Sequence, residues 1–243
     1  IVTSSWQLPG GSTAQGIQVD WSPIRPGTYQ ATLTAVDDDG LADTTTISFT
    51  AALRPGGTFV DDNGHFAEGA IEAIAAEKIT SGCNPPANDR FCPEGDVTRG
   101  QMAAFLARAL KLPLAELGFF GDDDGTVFEG AIDKIAAAGI TLGCNPPSND
   151  HYCPNQLLTR AELATFLVRA LHLAPVGADR FTDDNGSIFE NAINSVAAAG
   201  ISNGCNPPDN DRYCPDRAVK RGEMAVFLAR ALDLEPIYPP PAG

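Results

Sequence analysis

Positive charge is scarce in this sequence. Its 243 residues include 16 Lys or Arg against 31 Asp or Glu, a formal net charge of -15. A surface that acidic repels phosphate backbones and anionic headgroups, which excludes nucleic acid and membrane surfaces as favoured partners. No run of about 18 apolar residues occurs, so nothing here inserts into a membrane as a spanning helix. Histidine is nearly missing, and His65, His151 and His172 share no position in the pattern described below. There is no Gly-x-Ser-x-Gly and no phosphate-cradling loop, so no enzyme constellation emerges. A signal peptide is also missing. The opening IVTSSW reads like the interior of a domain, so a mature or trimmed piece of a longer protein is expected. Hydrophobic residues make up 43%, enough for a core.

Internal repetition dominates what is present. Phe59, Phe120 and Phe181 are 61 residues apart, and so are Cys83, Cys144 and Cys205, then Cys92, Cys153 and Cys214. Arg99, Arg160 and Arg221 keep the same step. Each repeat runs from an acidic turn (FVDDNG, FGDDDG, FTDDNG) to a first helix carrying Ile71 and Ile74, Ile132 and Ile135, or Ile193 and Val196. Their spacing of three marks one helical face, and the glycine in AAAGI predicts the helix stop. A cysteine loop follows, then a second helix. In the third repeat Met224, Phe227, Leu228, Ala231 and Leu232 line one side of that helix. Two helices cannot bury such stripes alone, so the repeats are expected to stack into one body.

The first 52 residues differ. GTYQATLTAV alternates, Asp37-Asp38-Asp39-Gly40 is a turn, and TTTISFTA is a Thr-rich return strand. WQLPGGS and VDWSPIRPGTY are candidates for one or two more strands. The stretch resembles the C-terminal half of a PKD-like or immunoglobulin-like β-sandwich. The expected layout is a partial β-domain over 1–52, a linker over 53–57, repeats over 58–115, 116–176 and 177–236, and a Pro-rich tail over 237–243.

The repeats resemble the S-layer homology domain. The first has Phe59-x-Asp61, Phe66-Ala67, Ile79, Gly82, Pro93 and Thr98-Arg99-Gly100-Gln101; the second keeps Thr159-Arg160-Ala161-Glu162; the third has Lys220-Arg221-Gly222-Glu223. The resemblance implies a mainly α, triple-repeat module shaped as a pseudo-threefold helical prism, whose grooves bind cell wall polysaccharide. It also implies that Arg99, Arg160 and Arg221 contact an acidic sugar while Asp61, Asp122 and Asp183 shape the pocket. A guanidinium fork matches a carboxylate with two parallel hydrogen bonds. The family's pocket tryptophan is Phe66, Val127 and Ile188 here, so only Phe66 keeps an aromatic platform.

Each feature also has a plainer reading. Thr159 and Glu162 form a capping box, which does not require the arginine between them. An arginine in the first turn opposes the helix dipole by roughly 0.3 to 1 kcal/mol. Ligand contact and a structural ion pair with a nearby acid therefore both stand for the three arginines. Asp61, Asn63 and Glu68, with Asp122, Asp124 and Glu129, and Asp183, Asn185 and Glu190, offer alternating oxygens suited to calcium. They are equally turn and cap residues. The cysteines lie too far apart within each pair for the usual zinc spacing. One pair per repeat predicts the disulfides Cys83–Cys92, Cys144–Cys153 and Cys205–Cys214. The loop middle, Asn210 to Tyr213 with counterparts Asn149 to Tyr152 and Asn88 to Phe91, is a candidate recognition tip.

The function expected is non-enzymatic attachment of an extracellular protein to an envelope polysaccharide at the cell surface. The rival is a structural subunit of a surface layer or filament that contacts neighbouring copies of itself, by strand complementation among other contacts. An enzyme domain upstream, with this chain as its anchor, is a third class.

Overall fold

The computed structural model describes residues 3–8, 13–16, 19, 27–51, 57–115 and 118–238. Two compact units partition the chain: residues 1–58 with 238–243, and residues 59–237.

The first unit holds a four-stranded antiparallel sheet in the order β2-β1-β3-β4: β1 Thr3–Gln7, β2 Thr13–Gln15, β3 Gly27–Val36 and β4 Ala42–Ala51. The predicted hairpin is β3 and β4. Its turn is set by Asp37, whose Oδ1 accepts the amides of Asp39 and Leu41 at 3.0 and 2.8 Å. That is the local bonding that lets aspartate start a turn. Gly40 takes φ 82°, a conformation that costs glycine little. Thr32 and Thr46 hydroxyls meet at 2.9 Å across the pair. The WQLPGGS segment contributes its first residues to β1. Most of VDWSPIRPGTY, and the stretch expected as a linker, lie outside the described residues.

The second unit contains six helices. Each repeat contributes a short one, α1 Glu68–Ala76, α3 Glu129–Ala137 or α5 Glu190–Ala198, and a second, α2 Arg99–Ala109, α4 Arg160–Leu171 or α6 Arg221–Ala231. The first helices end where the sequence asked. Gly139 and Gly200 adopt φ 70° and 72°, and Ile140 and Ile201 then fold back to bond the carbonyls of Ile135 and Val196. Lys78 takes the same left-handed position in the first repeat. Thr98 and Thr159 cap α2 and α4 through capping boxes with Gln101 and Glu162. Lys220 has no acceptor to offer α6. Its amide still reaches Glu223, and its Nζ instead pairs with Asp96 of the first repeat at 2.7 Å.

One continuous apolar core joins Phe59, Phe120 and Phe181 with the isoleucines and both faces of the second helices. Packing runs between repeats: α2 against α3, α4 against α5, and α6 against α1. Isolated bridges follow the same route, pairing Thr98 with Leu157, Thr159 with Ala218 and Asp96 with Lys220. Every repeat thus touches both others. Ile237, read from sequence as the start of the tail, is buried, and its amide bonds Gly69 of α1.

Candidate functional site

Three disulfides, Cys83–Cys92, Cys144–Cys153 and Cys205–Cys214, each close a separation of nine residues. Within each loop an asparagine side chain (Asn84, Asn145, Asn206) accepts from the backbone six residues on. The loop is then fastened to the acidic turn of its own repeat. Both oxygens of Asp61 accept backbone amides, from Phe91 at 2.7 Å and Cys92 at 2.9 Å. Asp122 and Asp183 do the same for Tyr152 and Cys153, and for Tyr213 and Cys214. These first aspartates fix the backbone of the loop.

That geometry corrects one expectation. The loop aromatics are not at an exposed tip: Phe91, Tyr152 and Tyr213 are fully buried, stacked near Phe59, Phe120 and Phe181. Their other face receives the arginine of the preceding repeat. Arg99 lies 4.9 Å from the Tyr152 ring, Arg160 4.8 Å from Tyr213, and Arg221 4.7 Å from Phe91. Each arginine also donates through Nε to the loop carbonyl, of Tyr152, Tyr213 or Phe91, at 2.8 to 2.9 Å.

The three arginines are buried yet not equivalent. Arg99 Nη1 donates to Glu162 at 2.9 Å. Arg160 lies 3.7 Å from Glu223, which Arg217 shares. Where these glutamates would recur, the first repeat has Gln101, so Arg221 faces no carboxylate there. Arg99 and Arg160 also reach the carbonyls of Gly143 and Gly204. The Nη2 of Arg221 has no hydrogen-bond partner. Tyr152 and Tyr213 donate their hydroxyls to the Arg99 and Arg160 carbonyls. Phe91 has no hydroxyl to offer Arg221. Burial lowers the Arg221 pKa to about 10, with Asp61 opposing it. A buried cation with no carboxylate bonded to it is costly and is commonly a sign of function.

Arg221 opens into a cavity of about 550 Å³, bounded also by Gly82, Pro85, Gln101, Arg108 and Phe128. The equivalent cavity of the second repeat, about 400 Å³, holds Arg99 already paired with Glu162, and Phe189 in place of Phe128. Each is therefore built by three repeats: an arginine from one, the loop and second helix of the next, and an aromatic from the third. Phe66 stands elsewhere, 71% exposed at the foot of α1, as Val127 and Ile188 do in their repeats. It lines neither of these cavities.

The calcium set is spent on local bonds. Glu68, Glu129 and Glu190 accept the amides of Gly64, Gly125 and Gly186 at 2.8 to 2.9 Å. Asn63 and Asn185 donate to the carbonyls of Val60 and Thr182, and Asp124 is exposed. Asp61, Asp122 and Asp183 lie beside the cysteine sulfurs, but those sulfurs are bonded to each other. Sequence reasoning missed the next residue in each turn. Asp62, Asp123 and Asp184 are buried. Burial pushes Asp62 up to about 7, with Glu72 adding to it, and Asp123 to about 6, with Asp133 adding. The signal was available: a doubled aspartate repeated three times, more than a turn needs.

The S-layer homology domain family matches residues 58–103. That stretch covers the acidic turn, α1, the cysteine loop and the start of α2. Over residues 58–103 the chain thus resembles an S-layer homology domain. Curated relatives extend the likeness across the other repeats. An amylopullulanase of Thermoanaerobacterium thermosulfurigenes is 28% identical over 191 residues, 75% of this chain and 10% of its own length. The exoglucanase XynX of Acetivibrio thermocellus is 28% identical over 189 residues, 74% of this chain and 17% of its own. A surface-layer 125 kDa protein of Lysinibacillus sphaericus is 29% identical over 137 residues, 55% of this chain and 11% of its own. The chain thus spans under a fifth of each. The likeness to an S-layer homology domain and the three disulfides indicate a place at the cell surface, outside the reducing cytosol.

Proposed function

We propose that this chain is a non-enzymatic anchor that binds an acidic envelope polysaccharide, and that its three repeats together form a pseudo-threefold helical prism. The cyclic order of helix packing supports the prism. The observation that carries the binding site is Arg221, a buried guanidinium with an unpartnered Nη2 facing a 550 Å³ cavity. A sugar carboxylate supplies what Gln101 withholds, a planar anion for a planar fork. The second-repeat groove has Glu162 occupying that role internally, so the grooves rank unequally, with the first repeat's groove foremost. Phe128 and the apolar edge of Phe105 give a sugar ring its flat wall.

A pelleting assay tests this. Purified protein is incubated with isolated sacculi before and after the non-peptidoglycan polymer is stripped. Binding should disappear on stripping and in a Gln101→Glu variant. Pelleting unchanged by both would sink the proposal. The rival, assembly with copies of itself, draws on β4, which ends the sheet and leaves one edge unpaired among the described residues. It predicts ordered polymers without any wall material.

A further inference from the structure

In every repeat the two adjacent turn aspartates face opposite ways. The first fastens the cysteine loop, and the second is enclosed: Asp62, Asp123 and Asp184 are 0%, 1% and 1% exposed. Both carboxylate oxygens of Asp62 and of Asp184 lack a hydrogen-bond partner, as do Asp123 Oδ2 and Asp133 Oδ2. The charged groups acting on them are all acids. They are Glu72, Glu68 and Asp61 around Asp62; Asp133, Asp122 and Asp124 around Asp123; and Asp179, Asp183 and Glu190 around Asp184. Glu72 and Asp133, on the first helices, are themselves buried. An interior position that packs among apolar residues would ordinarily be apolar, because a buried carboxylate without a donor or counter-charge is strongly unfavourable. Here the same acid recurs three times, and its strongest charged neighbours among the described residues are each time other acids.

We propose that these pockets hold divalent cations of the calcium class. Asp62 with Glu72 forms one site and Asp123 with Asp133 a second. In the third repeat Asn194 replaces the second acid, so Asp184 forms a weaker one. The donor set is oxygen only. Zinc is disfavoured because the cysteines are oxidised and His65, the histidine next to the first site, has both ring nitrogens engaged by Glu94 and the Ala67 amide. Magnesium usually retains several waters, for which an enclosed site leaves little room. The sites adjoin the Asp61, Asn63 and Glu68 set but use different oxygens, because the carboxylates of Asp61 and Glu68 are held by backbone amides.

The test uses the full chain, stripped with EDTA and dialysed. Calcium, magnesium or zinc is added in parallel, and bound metal per chain and the melting temperature are read. At least two calcium ions per chain should be retained, with a rise of about 10 to 20 °C for two filled sites at a hundredfold excess over Kd. An Asp62→Asn, Asp123→Asn double variant should lose that rise. Its chelated form should melt above the chelated parent, because acid–acid repulsion is gone, an inversion that a mere packing role would not produce. A Glu129→Gln variant should respond to calcium as the parent does. No retained calcium, a double variant that still responds, or a response abolished by Glu129→Gln would each overturn the proposal.

Discussion

Gln101→Glu is the most informative single change in this protein. It places a carboxylate where Glu162 stands 2.9 Å from Arg99 in the next repeat. Burial has moved Arg221 from the ordinary guanidinium range down to about 10. Each tenfold change in acidity is worth about 1.4 kcal/mol, so the folded state carries a penalty of roughly 3 kcal/mol. The sign is fixed: a cation with a depressed folded pKa destabilises fully at every pH below that value, and the penalty fades only above about 10. At neutral pH the whole penalty is present. A new glutamate cannot recover all of it, because its own carboxylate must be partly desolvated and Glu162 is itself 20% exposed. About 1 to 2 kcal/mol of stabilisation is expected, or roughly 2 to 8 °C for a body of this size. Differential scanning calorimetry at pH 7 reads the gain, and pelleting with sacculi reads the loss of the anion site. A variant that melts no higher than the parent would refute the charge argument. One that melts higher yet pellets equally well would keep the charge argument and remove Arg221 from the binding site.

Replacing both Cys144 and Cys153 by serine opens a loop with a sequence separation of nine; urea unfolding should show a loss of about 2.5 kcal/mol on the loop-entropy account. Thr159→Ala deletes the cap that bonds Glu162 and should lower stability by about 1 kcal/mol, whereas Lys220→Thr exchanges a half-exposed ion pair for a cap and should change it by less. Tyr152→Phe leaves the Arg99 carbonyl without its 2.8 Å donor, a cost of about 1 to 2 kcal/mol in the same assay. A chain ending at residue 176 loses Arg221 and α6, the neighbour of α1; its circular dichroism should show less helix per residue than the parent, and unchanged helicity per residue would mean the repeats do not depend on one another.

The repeat, its helices and its disulfides were legible because they rest on local chemistry. An isoleucine pair three apart, a glycine stop, a Thr-x-x-Glu cap and one cysteine pair per period each act within a dozen residues. The arginines were found as positions, and their inequality was not. That depends on which residue of another repeat faces each guanidinium, Glu162 for Arg99 and Gln101 for Arg221, and no periodicity states the order in which repeats meet. The loop aromatics misled for the same reason. Beside asparagine, aspartate and arginine, Tyr213 reads as part of a polar tip. In the fold Asp183 draws the loop backbone inward at Tyr213 and Cys214, and the ring goes with it. The doubled aspartates hid in plain view. A turn explains one acid, and only the burial of the second exposes how much remains to be explained.

The three junctions between repeats are not interchangeable in the chain. Repeats one and two, and two and three, are consecutive, so covalent connection keeps them near each other. The junction of three with one closes between segments separated by more than a hundred residues, and its contacts alone hold it. At that junction three polar contacts present at the other two are missing, one of them the bond from arginine Nη2 to a loop glycine carbonyl. Phe91 lacks the hydroxyl of Tyr152 and Tyr213, and Gln101 lacks the charge of Glu162 and Glu223. The Lys220–Asp96 pair is partial compensation, being half exposed and so worth little. The weakest seam and the unsatisfied guanidinium therefore coincide. An anion that pairs with Arg221 binds the closed arrangement better than any opened one, and by mass action it stabilises the seam in proportion to its affinity. On the proposed function, attachment to a carboxylated polymer and closure of the three repeats would be one equilibrium. In a protein with so little positive charge, the buried arginine that among the described residues has no carboxylate bonded to it sits where a ligand would do the most to hold the fold shut.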